Sequence, residues 1–168
     1  MPPRISYERS PSVPDDVVRR LDGDAELVID TSHMPLLITT WFGSPTLGLV
    51  QWYSEWFAGF VERSRASKAK FVILDDAIRA GRPAPPVRGL LSKVQCPAEV
   101  VIDRIVVVDT AAIRGAITAL SWILGNPIKT TPAIQDGVRD CLAALDAAKV
   151  ARPAKFEYRP AEPTITRA

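Results

Sequence analysis

Residues Phe71–Leu91 read FVILDDAIRAGRPAPPVRGLL, and the fold turns on how this stretch begins. An unbroken apolar run, Phe71 to Leu74, stops at two adjacent carboxylates, Asp75 and Asp76. A near-continuous apolar run bounded by turn residues is the pattern of a central strand covered on both faces. A loop of Pro, Gly and Arg follows, and PPVRGLLSKVQCP opens on proline, as a helix start does.

Working outward, the same alternation recurs. Upstream, AELVIDTSHM and LLITTWFG read as two strands joined by a turn near His33 to Pro35, the second closed by Gly43. SPTLGLVQWYSEWFAGFVERSRAS reads as a long helix, with Ser44 as N-cap and Pro45 at the first helical position. Downstream, DRIVVVDT is a second buried strand and TAAIRGAITALSWILGN a helix capped by Thr110 and ended by Gly125 and Asn126. PIKTTPA reads as a short edge strand and IQDGVRDCLAALDAAK as a last helix. The predicted order is β-β-α-β-α-β-α-β-α. Strands alternating with helices imply a mixed, mostly parallel sheet of about five strands, with about four helices packed mainly on one side and right-handed crossovers.

The ends read differently. MPPRISYERSPSVPDDVVRRLDGD is rich in Pro, Ser and charge, with room for a short helix at PDDVVRRL; ARPAKFEYRPAEPTITRA has prolines and no period. The expected organisation is a flexible tail over 1–23, one domain over 24–149 and an extended tail or docking arm over 150–168.

With 168 residues, 47% hydrophobic, the chain has enough apolar material for one core. The net charge of +2 is small and the basic residues are scattered, with no stripe of the kind nucleic-acid binding needs. No apolar run approaches the ~18 residues of a membrane span. The start of the chain has no continuous apolar segment of a signal peptide, so the expectation is a cytoplasmic protein. Cys96 and Cys141 stand far apart among apolar neighbours, which is the pattern of reduced cysteines acting as small hydrophobes and not of metal ligands. No cofactor or metal is expected.

The order and punctuation of these elements resemble the STAS domain superfamily, most closely its SpoIIAA-like branch, which is related in fold to CRAL-TRIO lipid-binding domains. The resemblance rests on LLITTWFG before a long helix, on KFVILDDA, and on RIVVVDTAAIRGAITALSWILGNPIKTTPAIQDGVRDCLAAL, and spans about residues 26–148. It implies a STAS-like α/β domain of bacterial type: a non-enzymatic regulatory, protein-interaction or ligand-sensing module. In the anti-sigma-factor antagonists of that superfamily a phosphorylatable serine follows the central strand. Here that place reads DDAIRAGRPAPPVRG and holds no Ser or Thr between Asp75 and Leu91, so the phosphoswitch chemistry is missing.

Three sets of residues are candidates for function. Asp75 and Asp76 at a strand's carboxyl edge could bind Mg²⁺ or act as acid and base; equally, Asp is common where a strand ends and caps backbone N–H groups. Asp109 and Thr110 end the neighbouring strand, but no Lys stands where a receiver-like phosphoaspartate pocket requires one. Arg79, Arg82 and Arg88 around the following loop could bind an anion or simply neutralise those carboxylates. His33, the one histidine, has no Cys, Ser or metal-ligand company and reads as a solvated turn residue.

The last set concerns the helices. Stepping ~100° per residue from Ile113, Ile117, Leu120 and Leu124 form a core stripe, while Trp122 falls at ~180° with Gly115, Thr118 and Ala119 on that far side. A helix apolar all round needs a second cover, and Arg114 is its one charge. On the long first helix Val50, Tyr53, Phe57 and Val61 form the core stripe, with Trp52 and Trp56 at ~160° and ~120° from Val50. The expected interaction surface is therefore Trp52, Trp56, Arg114, Ala119 and Trp122, serving a protein partner or a second copy in a homo-oligomer. The alternative is a binding domain for a small apolar or lipid-like ligand lined by these tryptophans.

Overall fold

The structure, a computed structural model, describes residues 16–123, 125 and 128–164, apart from the side chains of Leu120, Trp122 and Ile123. The strands are β1 (Val17–Asp22), β2 (Ala25–Asp30), β3 (Leu36–Phe42), β4 (Phe71–Asp76), β5 (Val101–Val107) and β6 (Lys129–Thr131). The helices are α1 (Leu47–Ser67), α2 (Pro85–Leu91), α3 (Ala111–Ile123) and α4 (Ile134–Ala147). They build one six-stranded sheet in sequential order β1 to β6. β1, β2 and β3 pair antiparallel, and β3 through β6 pair parallel. The mixed, mostly parallel α/β sheet is the one expected.

The extra strand is a correction. VVRRLD reads as part of an N-terminal tail or a short helix, yet it forms β1, paired with β2 from Val17↔Asp30 to Asp22↔Ala25. Gly23, at φ 61°, and Asp24 make the two-residue hairpin loop. A Gly-Asp pair between two β-branched runs is a hairpin signal, and the Pro-Asp-Asp preceding it masked that signal. The part of the expected tail before Asp16 lies outside the described residues. The long helix also starts later than Ser44: Thr46 is the N-cap of α1, its Oγ1 accepting from Leu49 N at 3.1 Å. The α2 helix stops at Leu91 rather than running on toward Cys96.

The pairing register divides the side chains into two faces. Ile29, Thr39, Asp75, Val106 and Thr130 form one row across the sheet, and Val28, Thr40, Asp76, Val107 and Thr131 the next. Successive residues of a strand point to opposite faces, so the rows face opposite ways. On the first face Val50, Tyr53, Phe57 and Val61 of α1 and Val87 of α2 pack on Leu27, Ile29, Leu37, Phe71 and Ile73. The α3 helix shares this face, because its Thr118 Oγ1 lies 3.3 Å from Thr130 Oγ1. On the second face Cys141 and Leu145 of α4 pack on Leu36, Ile38, Val72, Leu74, Ile105 and Val107. The division has a simple cause. Right-handed crossovers between strands added in one direction place every connecting helix on the same side, whereas α4 follows the last strand and connects nothing.

α4 lies very close to the sheet. A Cβ on Gly137 would come within 2.8 Å of Val107 Cγ2 and 3.0 Å of Leu74 Cδ1. Gly137→Ala should therefore destabilise the domain by about 1–3 kcal/mol through overpacking, against the ~1 kcal/mol that alanine gains over glycine in an open helix. Urea denaturation would measure this, and a more stable variant would contradict the packing described. No helix among the described residues is long and apolar enough to cross a membrane.

Candidate functional site

Strand alternation separates the two carboxylates that the sequence sets side by side. Asp75 and Asp76 are both buried, at 2% and 4% exposure, but on opposite faces of β4. They cannot act as a paired acid and base on one substrate, and each has its own partners.

Asp75 lies beneath α1 and α2. Thr39, its neighbour across the parallel β3–β4 pairing, donates its hydroxyl to Oδ1. Arg104 of β5 donates Nε to Oδ2 at 2.5 Å, and its Nη1 lies 3.8 Å from Cys96 Sγ. Burial is the largest single influence and works against the charge on Arg104, but Asp75, Tyr53 and Cys96 together outweigh it, Asp75 foremost, and hold the guanidinium well above the ordinary arginine pKa. Tyr53 of α1 completes the cluster. Its ring packs edge-on against Trp41, with centroids 5.3 Å apart, and lies in a stacked arrangement with Phe57. Its hydroxyl is buried and, among the described residues, lacks a hydrogen-bond partner. Burial pushes its pKa up, and the ionisable groups acting on it are Arg104, Asp75 and Cys96.

Asp76 lies on the other face under the C-terminal segment. Tyr158 Oη donates to Asp76 Oδ2 at 2.5 Å, and Oδ1 accepts from Ile78 N at 3.3 Å. The segment from Val150 to Thr164 runs as an arm across the part of this face that α4 leaves open. Arg79 donates to Ala161 O at 2.7 Å and places its guanidinium 4.5 Å over the Phe42 ring. Arg19 donates to Glu162 O at 2.9 Å and pairs with Glu26 at 3.0 Å. Glu26, 2% exposed, also accepts from Thr164 N and Thr164 Oγ1, each at 2.7 Å. His33 is half-buried rather than solvated, 3.9 Å from Asp30 Oδ2 and edge-on to Phe156 of the arm.

A solved structure of a protein from the DUF3478 family of Shewanella loihica PV-4, described as having a SpoIIAA-like fold, matches 74% of this chain and 91% of its own at 12% identity, with a TM-score of 0.48. No family model matches the chain, and no curated protein does.

The expected anion loop is thus divided by the sheet. Asp76 and Arg79 meet at the arm, and Asp75 belongs to the opposite face. Arg82 is exposed and Arg88 half-buried in α2. The loop itself is held against the end of β3, with Gly43 N donating to Arg79 O at 3.2 Å and Gly81 N to Gly43 O at 2.8 Å. A Cβ on Gly81 would meet Ser44 Oγ at 2.2 Å, so this close approach requires glycine.

Of the expected interaction surface, Trp52 and Trp56 are half-buried on the flank of α1. Arg20 lies 5.8 Å over Trp52, and Trp56 stacks on Phe60 at 5.1 Å. Arg114 turns inward, its Nη1 donating to Val108 O at 2.8 Å and Asp109 O at 2.6 Å, so it caps the end of β5. Ala119 is exposed, and the Trp122 side chain lies outside the described residues. Sequence reasoning missed Thr39, Arg104, Glu26, Tyr158 and Thr164. A charged Arg104 within the apolar run RIVVV was the available signal, because a buried strand tolerates arginine when it has a buried partner.

Proposed function

We propose that this chain is a non-enzymatic interaction module that binds another protein, in the first instance a second copy of itself, through the outward face of α3. One observation carries the reading. Ala111, Ala112, Gly115, Ala116 and Ala119 are exposed together on one uncharged face of α3. A helix on the surface of a globular domain ordinarily presents polar residues to water. Small residues on such a face let a second backbone approach closely. The non-enzymatic part of the reading is supported by the commitment of both buried carboxylates to protein partners, Asp75 to Thr39 and Arg104, and Asp76 to Tyr158.

The apolar-ligand reading has less support. Two surface grooves of about 460 Å³ are lined partly by charged groups, Arg19, Asp30, Lys155, Glu157 and Arg159 in one and Asp24, Glu26 and Arg79 in the other.

Sedimentation velocity at micromolar concentration tests the proposal. The wild-type chain should sediment as a dimer and Ala116→Glu, a change on an exposed position, as a monomer. A wild-type monomer would sink self-association through α3, and a dimer that Ala116→Glu leaves intact would move the interface elsewhere.

A further inference from the structure

We propose that the C-terminal arm is an exchangeable element: opened at the turn of Ala154 and Lys155, it leaves its own sheet and seats in the same groove of a second copy, giving an arm-exchanged dimer. This contact is separate from the one proposed for α3. The first observation is how the arm is held. Tyr158 reaches the buried Asp76 and Thr164 the buried Glu26, while Arg79 and Arg19 take the carbonyls of Ala161 and Glu162. Among the described residues no backbone–backbone hydrogen bond joins residues 151–164 to a strand. An arm seated through side chains comes away without breaking a sheet ladder, so it is a unit of low local stability.

The second observation is the turn that folds the arm back over its own domain. Lys155 holds φ at 51°, a left-handed conformation that is costly for a residue with a side chain. Just before it the chain is anchored, Arg152 Nε donating to Asp146 Oδ1 at 2.8 Å, so the hinge is confined to Pro153, Ala154 and the exposed Lys155. With the turn opened, residues 151–155 span up to about 17 Å, enough to cross to a neighbouring domain. The third is the composition of the arm. Pro160 and Pro163 restrict it when free, so it loses less freedom on docking. A second copy offers the same groove, so exchange keeps every arm contact and removes only the strained turn.

The test uses the full chain carrying Ala116→Glu, which removes the α3 contact, so that exchange of the arm is read by itself. Lys155→Pro cannot adopt the left-handed turn and should drive exchange, whereas Lys155→Gly adopts it freely and should keep the arm on its own domain. Sedimentation equilibrium should give a dimer dissociation constant about tenfold or more tighter for Lys155→Pro than for Lys155→Gly. Adding Tyr158→Phe and Thr164→Val, which strip the arm of its hydroxyl donors, should weaken the Lys155→Pro dimer again. A Lys155→Pro chain that stays monomeric at high micromolar concentration overturns the proposal. So do dissociation constants that are alike in the Pro and Gly variants, or a Lys155→Pro dimer indifferent to the loss of both hydroxyls. Should Ala116→Glu itself still dimerise, the α3 reading fails, but the comparison of the two Lys155 variants still decides on the arm.

Discussion

Arg104→Met should cost the domain about 3–5 kcal/mol, because it leaves a buried carboxylate without its counter-charge. The Arg104 side chain is 11% exposed and that of Asp75 3%, so water cannot replace the lost partner. Thr39 would still donate to Asp75, but one neutral hydroxyl does not offset a buried charge. The double variant Asp75→Leu/Arg104→Met should recover most of the loss, since well-packed apolar residues often replace a buried ion pair at little cost. Urea denaturation of both single variants and the double variant gives the coupling directly. An Arg104→Met protein as stable as wild type would mean that the pair contributes nothing.

A chain ending at Val150 should lose on the order of 3–5 kcal/mol. Three hydrogen bonds to buried carboxylates disappear with the arm, those of Thr164 N and Thr164 Oγ1 to Glu26 and that of Tyr158 Oη to Asp76. Each bond to a charged group is worth roughly 1.5–3 kcal/mol, and the uncovered carboxylates regain part of that from water. Val150 is kept because its N–H donates to Leu145 O at the end of α4. A synthetic peptide spanning 151–168 should restore part of the stability in trans. Truncation without loss would show that the arm is not a structural element of the sheet.

The arm also carries a pH signature. Burial first, and then the hydrogen bond to Asp76, raise the Tyr158 pKa above the ordinary value of 10.0. A raised acid keeps its proton longer in the folded chain, so its contribution is complete below pH ~10 and is lost as pH rises beyond it. Tyr158→Phe should flatten that alkaline decline. Tyr53 and Cys141, also raised by burial, contribute to what remains in the same direction.

The apolar runs FVIL and IVVV, the Pro and Gly punctuation and the long helical period determine the types and order of the elements from β2 onward. Those signals are local: burial on two faces, strand alternation and helix stops are written in neighbouring residues. The opposition of Asp75 and Asp76 also follows from strand alternation alone, once Phe71–Asp76 is read as a strand. By contrast, β1 is not legible locally, because its hairpin signal stands beside a helix-start signal of equal strength.

Only the tertiary structure decided who meets whom. Arg104 reaches Asp75 across 29 positions and Thr164 reaches Glu26 across 138. Such pairs depend on strand register and on the side from which each element approaches, and no local pattern encodes either. Arg114 makes the same point in reverse. As the lone charge on an apolar helix it reads as an outward anchor, yet it turns inward, because the carbonyls of Val108 and Asp109 just past β5 offered a guanidinium more than water did.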